Sequence, residues 1–337
     1  MLRAVTPLRL VGVFAGLVVA AAIVLYLVPS SDYMLLPDIA HPVAPLVRVQ
    51  GGHEPTDAGV IYFVDVFERR ASMFESLFPW IHKGATLVPA RLIVPPGVSD
   101  KAVREADLHA MTISQKVAAA VALRRLGYDV VAKPSGVIVA ALDERSNAVG
   151  KLHPGDLIVA VNGTPTPAIA KLRAVLAKVK PGEVVRLGIT RETEHLAIAV
   201  KTMADTRNAK RAIVGFAPEQ AAEIKLPLKV QIDAGNVGGP SAGLAFALEV
   251  MEELGRDVDH GYRVAATGAL ELNGAVTPIG GVKQKTFGVR EAKADVFLVP
   301  AGDNAREARR YANGLRIIAV KSFPQALRAL ATLPRKG

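Results

Sequence analysis

The chain has 337 residues, 50% of them hydrophobic, with a formal net charge of +10 and no cysteine. The absence of cysteine excludes disulfides, zinc–thiolate centres and thiol proteases together. The positive charge is spread without a dense Lys/Arg block or interleaved aromatics, which argues against nucleic acid as a partner; the length suits two folded domains with an extra segment.

Leu10 to Val28 carries no charge and would be about 28 Å long as a helix, close to the thickness of bilayer hydrocarbon. Arg3 and Arg9 precede it, and no Lys or Arg follows before Arg48. The positive-inside rule then puts the N-terminus in the cytoplasm and the remaining chain outside it. A cleaved signal peptide is the competing reading, but no Ala-x-Ala site closes the run at Leu27-Val-Pro-Ser-Ser. Residues 1–30 are expected to be an uncleaved single-pass membrane anchor.

Residues 31–126 are read as a linker and N-terminal segment. Pro37, Pro42 and Pro45 mark extended chain, and Val60 to Phe67 reads as a strand. Leu46-Val-Arg-Val49 is expected to pair with it across the Gly51-Gly52 turn. Ile113 to Leu126 reads as a helix. His41, His53, His82 and His109 lack His-Glu-x-x-His spacing and are read as surface residues, so no metal is expected.

Residues 127–203 read as a β-rich module. The apolar run Leu157 to Val161, closed by Asn162-Gly163, is a buried strand ending in a tight turn. Lys171 to Lys178 reads as a short helix, and Val184 to Ile189 and His195 to Val200 as closing strands. Leu152-His-Pro-Gly-Asp-Leu-Ile158 with Val161-Asn-Gly163, following Gly136-Val-Ile-Val139, resembles the PDZ domains of bacterial envelope proteases. That resemblance implies capture of a peptide terminus by strand addition. It places the peptide-binding residues at Ser135, Gly136, Val137 and Ile138. Asp156 is read as stabilising the turn after Gly155 rather than as catalytic.

Residues 204–337 form the last domain, with Thr202 to Arg211 as a polar linker. The strand-like run Leu228 to Ile232 leads into Gly235-Asn-Val-Gly-Gly-Pro-Ser-Ala-Gly243 and then a helix with Leu244, Ala247, Leu248 and Met251 on one stripe. Ser241 therefore sits at the mouth of a helix, where free N–H groups and the dipole stabilise an oxyanion. Backbone amides near Gly239 and Ser241 are the expected donors. A serine needs a base. In a helix starting near Gly281, Val282, Lys285, Val289 and Ala292 share a face, so Lys285 is a lysine on an apolar stripe whose burial favours the neutral amine. Lys283 points roughly 200° away and is expected in solvent. Leu270 to Val276 reads as a hairpin turning at Asn273-Gly274, and further strands and helices alternate to the C-terminus.

Gly239-Pro-Ser-Ala-Gly243, Thr267-Gly268 and Pro278-Ile-Gly-Gly-Val-Lys-Gln-Lys285, in that order, resemble the proteolytic domain of Lon proteases. The resemblance implies a Ser–Lys dyad of Ser241 and Lys285, with Thr267 supporting the lysine. It also implies a homo-oligomeric ring, such as a hexamer, acting on protein or peptide substrates. Many Lon proteins carry an acidic residue three positions before the serine, where this chain has Gly238. Membrane-anchored relatives join such a domain to a PDZ domain, and the Ile61 strand is expected to belong to the protease sheet, with the PDZ module inserted after it.

The fold class expected is α+β: an N-terminal transmembrane helix, a PDZ-like module and a mixed α/β proteolytic domain. No Gly-x4-Gly-Lys-Ser/Thr occurs, so neither ATP nor any other cofactor is expected. Two alternatives stand beside the protease. Gly239-Pro-Ser-Ala-Gly243 also fits the Gly-x-Ser-x-Gly elbow of α/β-hydrolases, with His260 as the one downstream histidine. A non-catalytic PDZ scaffold is the other.

Overall fold

The computed structural model describes residues 7–53, 59–94, 99–143, 145–191, 193–206 and 208–336, with side chains from Val11 onward. Arg3 lies outside the described residues, as do the side chains of Arg9 and Leu10. The chain opens with α1 (Pro7–Leu27), β1 (Pro29–Pro37), β2 (His41–Pro42), β3 (Val47–Val49) and β4 (Val60–Phe63). Then come β5 (Val66–Ser72), α2 (Met73–Leu77), β6 (Thr86–Pro89), α3 (Ala90–Ile93) and the long α4 (Asp100–Arg125). Ser99 caps α4 by accepting the Ala102 N–H. Among the described residues no helix is long and apolar enough to cross a membrane. The part of α1 whose side chains are described, Val11–Leu27, is about 25 Å long, against ~30 Å of bilayer hydrocarbon.

The next unit holds β7 (Val131–Leu142), β8 (Leu157–Val161), β9 (Thr164–Pro165), α5 (Ile169–Leu176), β10 (Val184–Arg191) and β11 (Glu194–Lys201). After them run β12 (Met203–Asp205), β13 (Asn208–Ile213) and β14 (Phe216–Lys225). The sheet order is β11-β10-β8-β7-β14, packed over Val137, Val139, Leu152, Ile158 and Leu187. Thr202–Arg211, expected as a linker, instead contributes to an antiparallel ribbon of β12 and β13. Its charges suit a two-sided exposed ribbon, with Arg211 paired to Asp205 at 3.1 Å. Asp156 is buried, accepts the His153 N–H at 2.8 Å and pairs with Arg191 at 2.7 Å. Its surroundings are those of a turn anchor.

The C-terminal part carries β15 (Val230–Ile232), α6 (Gly243–Glu253), β16 (Arg263–Ala266), β17 (Ala269–Leu270) and β18 (Val276–Thr277). It ends with α7 (Val282–Glu291), β19 (Val296–Pro300), α8 (Asp303–Tyr311), β20 (Arg316–Val320) and α9 (Phe323–Ala331), which Ser322 caps. One sheet runs β2-β4-β16-β19-β20, with β4, β16, β19 and β20 parallel. A parallel sheet needs cover on both faces. Residues of α4, α6 and α9 bury one side with Phe246, Leu248 and Phe323, while α7 and α8 bury the other through Val282, Val289, Ala305 and Ala308.

Val60–Phe63 lies in this sheet beside Arg263–Ala266, on the far side of the whole β7–β14 unit in sequence. The expected partner of Val47–Val49 was wrong. Those residues pair with β15, not β4. Val47 and Val49 turn inward toward α6, and Val230–Ile232 completes that wall, so burial rather than the Gly51-Gly52 turn decided the pairing.

Candidate active site

Ser241 lies in a single 3-10 turn, Pro240–Ala242, that feeds directly into α6. Gly239 enters that turn at φ +80°, a conformation that favours glycine. Helix α7 starts after Gly281 and presents Val282, Lys285 and Val289 to the interior, as the apolar stripe requires. Lys285 Nζ lies 2.5 Å from Ser241 Oγ and 3.3 Å from Thr267 Oγ1. Thr267 is fully buried and donates its hydroxyl to the Ser241 carbonyl at 3.2 Å, which also accepts the Gly268 N–H at 2.8 Å.

Lys285 is only 4% exposed. Burial pulls its pKa from 10.5 down to about 8, against the opposing fields of Asp65 and Glu68. About one amine in ten is then neutral at pH 7, far more than for an ordinary lysine, which is what a general base requires. Thr267→Val should lower kcat by about tenfold to a hundredfold, through loss of two hydrogen bonds, and cost about 1–3 kcal/mol of stability. Steady-state kinetics on the variant decide it; an unchanged kcat would mean that packing alone holds the lysine.

The oxyanion expectation needs correction at one position. The Gly239 N–H is already donated to the Asp107 carbonyl at 2.8 Å, so it is not free in this conformation. The remaining amides of the turn, at Ser241 and Ala242, lie where a helix start leaves N–H groups without intrahelical acceptors. Helix α4 grips the same loop twice more. Arg104 donates to the Asn236 carbonyl, and the buried Ser114 hydroxyl donates to the Pro240 carbonyl at 3.0 Å. These α4 contacts escaped the sequence reading because they join residues more than a hundred positions apart, with no spacing signal. They also account for Gly238. A Cβ there would come within 2.8 Å of the Asp107 Cβ, so α4 fills the space that a side chain would need.

Lys283, expected in solvent, is half-buried and donates to the Ala85 carbonyl at 2.7 Å and to Thr86 Oγ1 at 3.2 Å. The β6 segment covers that side of α7, which periodicity within α7 could not foretell. His260 lies in the turn between α6 and β16, where its backbone N–H is donated to Asp257 Oδ1 at 2.8 Å. His53 and His109 are exposed, whereas His41 and His82 are half-buried; His82 contacts the buried Glu75 at 2.7 Å. Among the described residues, Asp38, His41 and Asp65 form one group whose ligand atoms lie within 4.8 Å of one another, and Glu252, Asp257 and Asp259 form another.

The peptide-binding residues expected at 135–138 lie in β7, and β7 is paired on both edges. Val137 and Ile138 face β8 on one side, while residues 131–142 face β14 on the other. Strand addition at Gly136, Val137 and Ile138 is therefore blocked by the chain's own β14. The sequence motif identified a strand but not its neighbours.

Residues 193–332 match the Lon protease (S16) C-terminal proteolytic domain. This segment contains Ser241, Thr267 and Lys285, and residues 124–202 match a PDZ domain. Lon protease 2 of Bacillus subtilis (strain 168) is 34% identical over 99 residues, covering 29% of this chain and 17% of that protein. Lon protease 1 of Sorangium cellulosum (strain So ce56) is 34% identical over 110 residues, 29% of this chain and 13% of that one. The chain thus spans less than a fifth of the length of these curated relatives. Among solved structures, the PDZ domain of the SdrC-like protein from Listeria monocytogenes aligns with 21% identity, 25% of this chain, 87% of that chain and a TM-score of 0.23. The Lon matches support a serine protease.

Proposed function

We propose that the chain is a membrane-anchored, ATP-independent serine endopeptidase with a Ser–Lys dyad and a PDZ module for peptide recognition. The observation that carries this reading is the buried Lys285 amine 2.5 Å from Ser241 Oγ. Neutral Lys285 takes the Ser241 proton as Oγ attacks a peptide carbonyl. The amides of the Ser241 turn receive the oxyanion, and the lysinium returns its proton to the leaving amine. Water, deprotonated by the same amine, then releases the acyl group and regenerates Ser241.

Anchoring rests on the uncharged run Leu10 to Val28 and on Phe14, Leu17, Val19 and Ile23 of α1, which stay exposed among the described residues. With Arg3 and Arg9 before the run, the catalytic domain lies outside the cytoplasm. A homo-oligomeric ring, such as a hexamer, belongs to the same proposal by likeness to Lon, as do protein or peptide substrates. The α/β-hydrolase reading is the weaker one, because the base position at Ser241 Oγ is taken by Lys285. The test is the full chain in detergent with an unfolded protein substrate and a fluorophosphonate probe. Cleavage and labelling are expected in the native chain and in His260→Ala, with both lost in Ser241→Ala. An unlabelled, inert native chain would favour a non-catalytic scaffold.

A further inference from the structure

The β7–β14 sheet ends at β14, whose second edge has no strand partner among the described residues. An edge strand presents a row of unpaired N–H and C=O groups and accepts another extended chain. A cavity of about 700 Å³ borders Pro218, Gln220 and Ala222 of β14, Ile169 of α5, Leu270 of β17, and Pro240, the residue before the nucleophile. Its two strand walls, β14 and the isolated β17–β18 ribbon, belong to different parts of the chain, and the cavity joins the peptide-binding module to the dyad loop. Two carboxylates, Glu219 and Glu271, also border it. Among the described residues neither has a cationic partner. Arg124, on the same cavity, donates instead to the carbonyls of Leu272 and Val130, both at 3.2 Å.

We infer that this cavity holds an extended stretch of substrate polypeptide, added as a strand beside β14, with a lysine or arginine side chain received between Glu219 and Glu271. The inference rests on the protease reading and gives it a substrate class: unfolded segments bearing a basic residue at a fixed distance from the scissile bond. Burial and the Glu271 charge both raise the Glu219 pKa, so an incoming cation relieves a repulsion already present. The apolar walls at Ile169 and Leu270 suit the flanking side chains, and the backbone edge supplies sequence-independent affinity.

The experiment uses the full chain and fluorogenic octapeptides in which one lysine, or one glutamate, is moved through successive positions. At one position lysine should exceed glutamate in kcat/KM by about tenfold or more, mostly through KM, because charge complementarity acts on encounter and binding. In the double variant Glu219→Gln with Glu271→Gln that ratio should fall to near unity. N-methylation of alternate peptide nitrogens should raise KM by about tenfold, since a methylated amide cannot donate to a strand edge. Equal turnover of the two peptide sets, a ratio unmoved in the double variant, or indifference to N-methylation would overturn the inference. Fluorophosphonate labelling of Ser241 separates the two levels. Labelling without charge preference removes this site alone, whereas cleavage that persists in Ser241→Ala removes the protease reading beneath it.

Discussion

Lys285→Met is expected to lower kcat by at least ~10⁴-fold and, at the same time, to make the folded protein more stable at pH 7. The activity loss follows because Ser241 Oγ then has no base, Lys285 being the basic group within hydrogen-bond distance. The stability gain follows from burial. The native state lowers the Lys285 pKa from 10.5 to about 8, whereas an unfolded chain leaves it at the ordinary value. Below about pH 8 the folded state carries the full cost of charging the amine, on the order of 3 kcal/mol. That cost fades as pH rises from about 8 toward 10.5, so the advantage of methionine shrinks over the same window. Urea unfolding at pH 7 and pH 10 measures it, and an equal or smaller gain at pH 7 would contradict this account. The native enzyme should show kcat/KM rising with pH up to about 8 and levelling above it, as the neutral amine becomes dominant. Lys285→Arg should be inactive and destabilised, because guanidinium stays charged in the same dry site.

The second large effect concerns the helix that carries this lysine. Gly288 lies one turn further along α7, and a Cβ there would come within 1.7 Å of the Asp38 carbonyl oxygen, a backbone atom that cannot rotate away. The Gly288 carbonyl also accepts the Ala40 N–H at 3.3 Å, so the two backbones are stitched together at this crossing. Gly288→Ala should cost about 3 kcal/mol, and its residual activity should fall because Lys285 moves with α7. Gly280→Ala is the control. Its Cβ would meet nothing within 4 Å, and its stability should stay within about 0.5 kcal/mol of the native chain. Denaturation midpoints of the two variants decide the matter; equal midpoints would mean that the crossing yields freely.

What could be read from the sequence was local. Ser241 and Lys285 were legible because each sits in a short motif whose geometry is set within a few residues: a turn into a helix, and one polar position on an apolar stripe. The Asn273-Gly274 hairpin was legible for the same reason. Partnerships across long separations were not. Val47–Val49 reads as a strand from its alternation, but nothing local chooses Val230–Ile232 over Val60–Phe63 as its mate. Lys283 reads as solvent-facing until β6 is laid over it, and Gly239 reads as an oxyanion donor until α4 claims its amide. Strand β7 reads as an open edge because its own residues cannot announce that β14 lies alongside.

The parallel sheet under the dyad takes its second strand, Val60–Phe63, from early in the chain and the adjoining one, Arg263–Ala266, from some 200 residues later. At a ribosomal pace of roughly 5–20 residues per second, the early strand waits on the order of 10–40 s for its neighbour. The β7–β14 unit has its own core and precedes Arg263–Ala266 in the chain, so its strands are all available first, and the parallel sheet closes only after β16 has followed. A nascent chain that has not yet reached Lys285 therefore has no base beside Ser241.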